Sequence, residues 1–172
     1  MSTTIFTPSK LVRSVDWPHE EIHRGHFFSI FHHDADVDTD ALTLYRLTTR
    51  LKNPHLQLSL IASAAVTLTM FEGPTLTGAG TILPSTNMNR SYPEGSYAIA
   101  DMVVARDCTV SANGTQLDYA IRVQAASTGP SQAGGNDGSR HEIILAANTN
   151  YLVILTPDAS NAKTWLTFEW YE

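Results

Sequence analysis

Hydrophobic and polar residues alternate at every second position through much of this chain. In QLDYAIRVQ, residues 116–124, the side chains of Leu117, Tyr119, Ile121 and Val123 are expected to point one way and the residues between them the other. This two-residue period is the mark of a β-strand with one buried face. The same period recurs in three further segments, which are HLQLSL (55–60), AVTLTMF (65–71) and TWLTFEWY (164–171).

Less regular alternation predicts additional strands at 26–33, 41–49, 97–105, 141–146 and 150–156. Glycine, proline and asparagine pairs between the segments supply the turns. No window of a dozen residues shows the 3.6-residue period and end caps of a helix. About eight to ten short strands without helices predict an all-β fold, either an antiparallel β-sandwich or a jelly roll.

The length of 172 residues suits one domain with one core. Residues 1–22 lack the alternation and contain two prolines, so we expect them to form an extended N-terminal arm. Residues 23–172 then form the sandwich domain. Within it, STGPSQAGGNDGSR, residues 127–140, is rich in glycine, serine and polar side chains and is predicted to be a surface loop.

Composition argues against several classes of protein. No apolar run approaches the roughly 20 residues of a membrane-spanning helix, and MSTTIFTPSK at the start lacks the apolar centre of a signal peptide. The single cysteine, Cys108, excludes an internal disulfide, which fits a reducing compartment or a fold that never depended on an oxidising one. We therefore expect no membrane partner and no disulfide framework.

The net charge of −6 is unevenly distributed. Residues 1–15 carry +2, residues 16–40 carry −6 and the remainder carries −2. A broad basic face for binding nucleic acid is therefore not expected. A short basic arm ahead of an acidic segment suits docking on another protein.

The segment FHHDADVDTDAL, residues 31–42, suggests metal chemistry because four aspartates follow two histidines at every second position: Asp34, Asp36, Asp38 and Asp40. A helix–loop–helix calcium loop needs glycine at its sixth position and glutamate at its twelfth, and neither stands there. A surface calcium site is the alternative. We interpret the run as a charged loop between strands, in which alternate aspartates also keep an edge from pairing with other chains.

His32 and His33 are the candidates for a jelly-roll metalloenzyme, whose metal needs two histidines and a carboxylate that converge. Adjacent residues of a strand point to opposite faces, so this pair does not converge, and His26, on the face of His32, has no acid placed by spacing. Cys108 has no histidine nearby in sequence and is expected to be a buried, idle thiol. We predict no catalytic residue, no metal and no cofactor.

Several stretches resemble a family of small virion proteins of tailed bacteriophages. In that family a strand ends in a turn like YEGPT, an N-x-N-R stretch follows, and a glycine-rich loop precedes a strand with the pattern I-L-x-x-N-T-x-Y-L. The resemblance covers about residues 20–172. The matching stretches here are LTMFEGPTLTGAGT (68–81), NMNR (87–90), GGNDGSRHEIILAANTNYLVILT (134–156) and TFEWYE (167–172).

The resemblance implies a capsid decoration, or cement, protein on the outer surface of the virion, made in the host cytoplasm. It implies a homotrimer at threefold positions whose partner is the major capsid protein. Such a protein stabilises the shell because it binds only the assembled state. The arm then supplies the expected partner contacts, which are Ile5, Phe6, Leu11, Val12 and Trp17.

Two other functions stay open. A lectin-like sandwich attaching the virion to host carbohydrate, as a head fibre or tail accessory, would use the 127–140 loop and exposed aromatics. Trp165 and Trp170 are five residues apart and therefore lie on opposite faces of a strand, so they do not build one platform together. The third function is the metalloenzyme at His32 or His33, with no partner acid in place.

Overall fold

Strands account for nearly all regular structure in the computed structural model, which describes residues 17–39, 42–91, 100–124, 133–134 and 142–172. A helix, α1, spans Trp17–Arg24. The strands are β1 (Phe27–Val37), β2 (Thr43–Thr48), β3 (His55–Ala62), β4 (Val66–Glu72), β5 (Thr75–Gly78), β6 (Thr81–Ile82), β7 (Thr86–Asn87), β8 (Val103–Arg106), β9 (Thr109–Ala112), β10 (Thr115–Val123), β11 (Ala133–Gly134), β12 (Glu142–Ile144), β13 (Asn150–Pro157) and β14 (Ala162–Tyr171). The prediction of an all-β fold is confirmed.

The strands form two large antiparallel sheets. Sheet I has the order β11-β3-β14-β1-β7, with β12 also paired to β3, and sheet II has the order β10-β4-β13-β2-β8-β6. The strands β1 and β3 belong to sheet I and β2 and β4 to sheet II, so the chain crosses between sheets at each of these connections. A separate two-stranded sheet joins β5 to β9.

The hydrophobic core lies between the two sheets. Tyr45 of β2 packs against Phe168 of β14, with ring centroids 5.5 Å apart, and so joins the sheets near their centre. The predicted facing of four strands is confirmed, since the alternate hydrophobic side chains of β3, β4, β10 and β14 point inward. The fully buried members of these strands include Leu56, Leu58, Leu60, Leu68, Met70, Leu166, Phe168 and Trp170.

Cys108 and Val110 cover the outer face of sheet II at β13. Leu152 and Ile154 of β13 point away from the main core, yet they are buried beside Cys108 and Val110 in a second apolar cluster. This explains why β13 is a continuous apolar run, because both of its faces are covered. Cys108 is buried as predicted, and desolvation by burial raises the pKa of its thiol.

Helix α1 corrects the prediction that residues 1–22 are extended throughout. Pro18 stands in the first turn, where its missing N–H costs nothing. The guanidinium of Arg24 donates to Glu20 at 2.5 Å and to Glu21 at 3.2 Å. Gly25 ends the helix at φ 76°, with its N–H on the carbonyl of Ile22. This is a glycine C-cap of a short helix, too short to show a period in the sequence.

Three other predicted boundaries differ from the structure. The aspartate run was predicted as a loop, but Asp34 and Asp36 lie within β1, where the register with β14 shifts between Asp34 and Val37. Of the strand predicted at 97–105, only residues from Val103 onward are in β8, and 97–99 lie outside the described residues. Within the predicted 127–140 loop, β11 pairs with β3.

In the part of the chain that the structure describes, no helix is long and apolar enough to cross a membrane.

Candidate functional site

The residues predicted to contact a partner are mostly outside the described structure. Ile5, Phe6, Leu11 and Val12 lie before its first residue. Trp17 begins α1, so this position belongs to a helix and not to an extended arm.

The outer face of sheet I carries several exposed apolar side chains. It consists of the side chains of β1, β3, β12 and β14 that point away from the core. Phe31 is 66% exposed, Ile144 59% and Ile61 39%, and Met88, just after β7, is 42% exposed. Unlike sheet II, this face has no buried apolar cluster over it among the described residues. Exposed apolar side chains grouped on one face are typical of an interaction surface.

An aromatic row crosses this face at the end nearest α1. Tyr171 of β14 lies between Phe27 of β1 and His55 of β3, with ring centroids 6.4 Å and 4.6 Å away and near-parallel planes. Its hydroxyl donates to Glu142 of β12 at 2.8 Å, and the same carboxylate contacts Nδ1 of His55 at 2.6 Å. These contacts hold the ring of Tyr171 in one orientation, which makes this end of the face rigid.

A second aromatic pair lies at the other end of the face. His33 of β1 stacks on Trp165 of β14, with centroids 5.0 Å apart, and Ile61 of β3 is the cross-strand neighbour of Trp165. Trp170 on the same strand is buried in the core, so the prediction that the two tryptophans occupy opposite faces is confirmed. Rigid aromatic side chains of this kind supply contact area at low entropic cost.

A cavity of ≈ 250 Å³, open to solvent and with both polar and apolar lining, adjoins the aromatic row where α1 meets sheet I. Its lining combines two carboxylates, two imidazoles, a phenol and an amide, contributed by Glu21, His26, Asn53, His55, Tyr171 and Glu172. Glu21 is buried and contacts Nδ1 of His26 at 3.1 Å. The cavity and the aromatic row share His55 and Tyr171, so they form one continuous feature.

Glu172, directly after β14, links sheet I to the segment that precedes β8. Its carboxylate accepts hydrogen bonds from the backbone N–H groups of Asp101 and Met102, the latter at 3.2 Å. Desolvation by burial raises the pKa of the carboxyl, and the hydrogen bond from Asp101 opposes that rise. No ion pair to Glu172 is formed within the described part of the chain.

The two adjacent histidines point to opposite faces of β1, as predicted. His33 is exposed, whereas His32 turns inward and joins the two sheets. His26, predicted to share the face of His32, precedes β1 and contacts Glu21. Among the residues that the structure describes, no three His, Cys, Asp or Glu side chains are placed to hold a metal ion.

His32 lies in a hydrogen-bonded chain between β1, β2 and β8. The guanidinium of Arg106 donates to its Nε2 at 3.1 Å, so Nε2 is the acceptor and Nδ1 carries the proton. Nδ1 then donates to the hydroxyl of Tyr45 at 2.9 Å. Burial, and next the nearby Arg106 charge, lower the pKa of His32, while Asp34 and Asp107 oppose this. Burial also raises the pKa of Tyr45, so this chain is built from neutral His and Tyr side chains.

We expect His32 to make the fold less stable as the pH falls below 6.5, its ordinary pKa. In that range the unfolded chain takes up the proton before the folded one, so the free energy of unfolding decreases. The measurement is urea unfolding of wild type and His32→Gln at pH 7.5 and pH 5.5. Glutamine keeps an acceptor for Arg106 and does not titrate.

The loss on acidification is expected to be larger for wild type than for His32→Gln. The exposed neighbour supplies the control for the substitution itself, since His33→Gln makes the same chemical change outside the hydrogen-bonded chain. Equal pH dependence in wild type and His32→Gln contradicts the assignment of a neutral His32.

Comparison of the chain with protein-family models, with curated proteins and with solved structures gave no match.

Sequence reasoning missed both the outer face and the cavity, although a signal for the first was present. Positions 165 and 171 carry Trp and Tyr on the non-core face of β14, and positions 27 and 31 carry Phe on the non-core face of β1. Aromatic side chains on both faces of a strand indicate a sheet whose outer face is more than a polar, solvated surface. The cavity left no such signal, because its lining comes from α1, the β2–β3 connection, β3 and the end of β14.

Proposed function

We propose that this chain is a structural virion protein that decorates and stabilises a tailed-phage capsid by binding the major capsid protein across capsomers. The observation that carries this proposal is the outer face of sheet I, where Phe31 of β1, Ile61 of β3 and Ile144 of β12 are exposed among the described residues. On sheet II, the outer face at β13 is covered by Cys108 and Val110 of the same chain. An interface between proteins needs such a rigid apolar surface and no catalytic group.

The strand order supports a jelly-roll form of the sandwich. The strands β12, β3, β14 and β1 are neighbours in sheet I, and β10, β4, β13 and β2 are neighbours in sheet II. Eight strands in two antiparallel sheets, with the chain passing between them, are the arrangement of a jelly roll, which occurs in viral capsid and lectin domains alike. The strand order therefore supports the jelly-roll form that the resemblance implies. The proposed function depends on the outer face of sheet I and not on the fold.

The proposal is tested by co-sedimentation of the purified protein with expanded, undecorated capsids, counting the copies bound per shell. Saturation at three copies per threefold axis is expected if a homotrimer binds there. Free capsid subunits are the control and should bind weakly, because a cement protein recognises the assembled state. Absence of binding to shells contradicts the proposal.

Deletion of residues 1–16 tests the arm separately from the sandwich. We expect the shortened protein to fold with an unchanged melting temperature, because α1 and every described strand remain. We expect its attachment to shells to weaken by about tenfold, because a few apolar contacts with the capsid are lost. Unchanged attachment in the co-sedimentation assay removes Ile5, Phe6, Leu11 and Val12 from the mechanism.

Binding to host carbohydrate is the weaker candidate. A sugar-binding platform needs a ring face open to solvent, but Tyr171 is flanked by rings on both sides and one face of Trp165 is stacked on His33. A glycan array without hits counts against this function, and a reproducible hit combined with no shell binding favours it.

A further inference from the structure

Two exposed histidines lie one turn apart on α1. His19 and His23 are separated by four residues, which places both side chains on one face of the helix. Their Nε2 atoms are 3.1 Å apart, and their ring centroids are 4.6 Å apart with near-perpendicular planes. The pair is therefore open to a ligand from solvent, and its two Nε2 atoms already lie close together.

The separation of the two Nε2 atoms suits a single metal ion. Zn²⁺ binds imidazole nitrogens at roughly 2.0–2.1 Å and prefers a tetrahedral arrangement, in which two ligand atoms are about 3.3 Å apart. In an octahedral arrangement with bonds of that length, neighbouring ligand atoms are about 2.9 Å apart. The distance of 3.1 Å between the two Nε2 atoms lies between these values. One ion can therefore contact both nitrogens after small rotations of the two rings.

The contact between the two rings leaves both of them able to bind a metal. A neutral imidazole carries one proton, on Nδ1 or on Nε2, and the contact between the two Nε2 atoms needs one of them to carry it. Among the described residues neither Nδ1 atom has a hydrogen-bond partner, so Nδ1 can hold the proton in each ring. A metal ion then takes the place of the shared proton, and both rings stay neutral.

The end of α1 that carries His23 is held by contacts with the rest of the chain. The side-chain amide of Asn89 donates to the carbonyl of His23 at 2.9 Å, and the N–H of His26 donates to the carbonyl of Glu21 at 2.9 Å. The ligand atoms are thus largely in place before binding, which lowers its entropic cost. The surrounding segment, residues 16–40, carries a net charge of −6, which favours a cation.

We propose that His19 and His23 bind one late first-row divalent cation, such as Zn²⁺, through their Nε2 atoms, with water in the remaining coordination positions. Imidazole nitrogen suits Zn²⁺, Cu²⁺ and Ni²⁺, whereas Mg²⁺ and Ca²⁺ prefer oxygen ligands. The expectation of no metal depends on residues 1–22 being extended, because an extended segment would separate these two side chains. This inference does not rest on the proposed capsid role.

The segment HEEIH, residues 19–23, also has the spacing H-E-x-x-H, which in zinc peptidases supplies two metal ligands and a general base. Glu20 does not suit the role of the base, since its carboxylate accepts a hydrogen bond from the guanidinium of Arg24. A catalytic zinc also needs a third protein ligand, and the described residues place none beside the pair. The geometry therefore supports metal binding without peptidase chemistry.

The test is isothermal titration calorimetry of the full chain, purified without a histidine tag, with Zn²⁺ in a buffer that does not bind metals. We expect saturable binding of one ion per chain. His19→Gln and His23→Gln should each weaken it by at least about tenfold. His33→Gln makes the same change at an exposed histidine outside α1 and should leave the binding unchanged. Because all three side chains are exposed, each variant should keep the wild-type melting temperature.

A second measurement identifies the ligand atoms. Zn²⁺ is expected to shift the ring ¹⁵N signals of Nε2 in His19 and His23, while Nδ1 of each ring stays protonated. Absence of saturable binding overturns the inference, and so does binding that is lost in only one of the two α1 variants. Binding that all three variants retain places the ion elsewhere and overturns it as well.

Discussion

Replacing Trp170 with alanine is expected to lower the free energy of unfolding by about 3–5 kcal/mol, enough to unfold the domain or sharply reduce its expression. Trp170 is fully buried and stacks on Phe28, with ring centroids 5.6 Å apart. Removal of the indole leaves a large cavity between the sheets beside Phe28, where rigid strands relax poorly. Urea unfolding, or the soluble yield where the variant does not fold, measures the effect.

Trp165 on the same strand provides the matched control. Its side chain lies on the outer face against His33, so Trp165→Ala is expected to cost about 1 kcal/mol or less. A further variant, Trp170→Phe, should lose less than alanine does. It keeps an aromatic ring beside Phe28 and removes an indole N–H that, among the described residues, has no hydrogen-bond partner. Similar losses at positions 165 and 170 contradict the facing of β14.

A charge placed on the outer face of sheet I is expected to abolish shell binding without unfolding the protein. Ile144 is 59% exposed, so Ile144→Asp should alter the free energy of unfolding by about 0.5 kcal/mol or less. In an interface, an uncompensated carboxylate loses its hydration and weakens binding by about a hundredfold. Co-sedimentation with shells at several protein concentrations measures that loss.

An isoleucine in sheet II tests whether the effect depends on position. Ile82 of β6 is 64% exposed, and Ile82→Asp makes the same chemical change away from the outer face of sheet I. This variant should bind shells like wild type. If Ile144→Asp binds shells normally, the outer face is not the docking surface; if both variants lose binding, the loss is a general effect of charge.

Alternation in the sequence predicted the strands well where one face is buried and the other is not. In β3 and β14 most inward positions are leucine or aromatic and most of the outward ones are polar, so facing followed from spacing alone. The run NYLVILT indicated β13 but not its two-sided burial, which depends on Cys108 and Val110 of a distant segment.

The aspartate run shows where local composition was misleading. Asp34 contacts the hydroxyl of Thr43 at 3.4 Å and accepts the backbone N–H of Asp36, so these residues sit at a bulged part of β1. A bulge accommodates residues that a regular strand disfavours. The acidic composition of this segment therefore predicted a loop. The segment is a strand in the structure because β1 pairs with β14.

The sequence by itself determined the all-β class and the facing of the principal strands, with Trp165 and Trp170 on opposite faces of β14, because period-two alternation depends only on neighbours along a strand. Only the tertiary structure decided that, among the described residues, an apolar cluster forms on the outer face of sheet II at β13 and none forms on that of sheet I. Only it brought Glu21, His55 and Glu172 around one cavity. These features arise between strands distant in sequence, through pairings that no local pattern encodes.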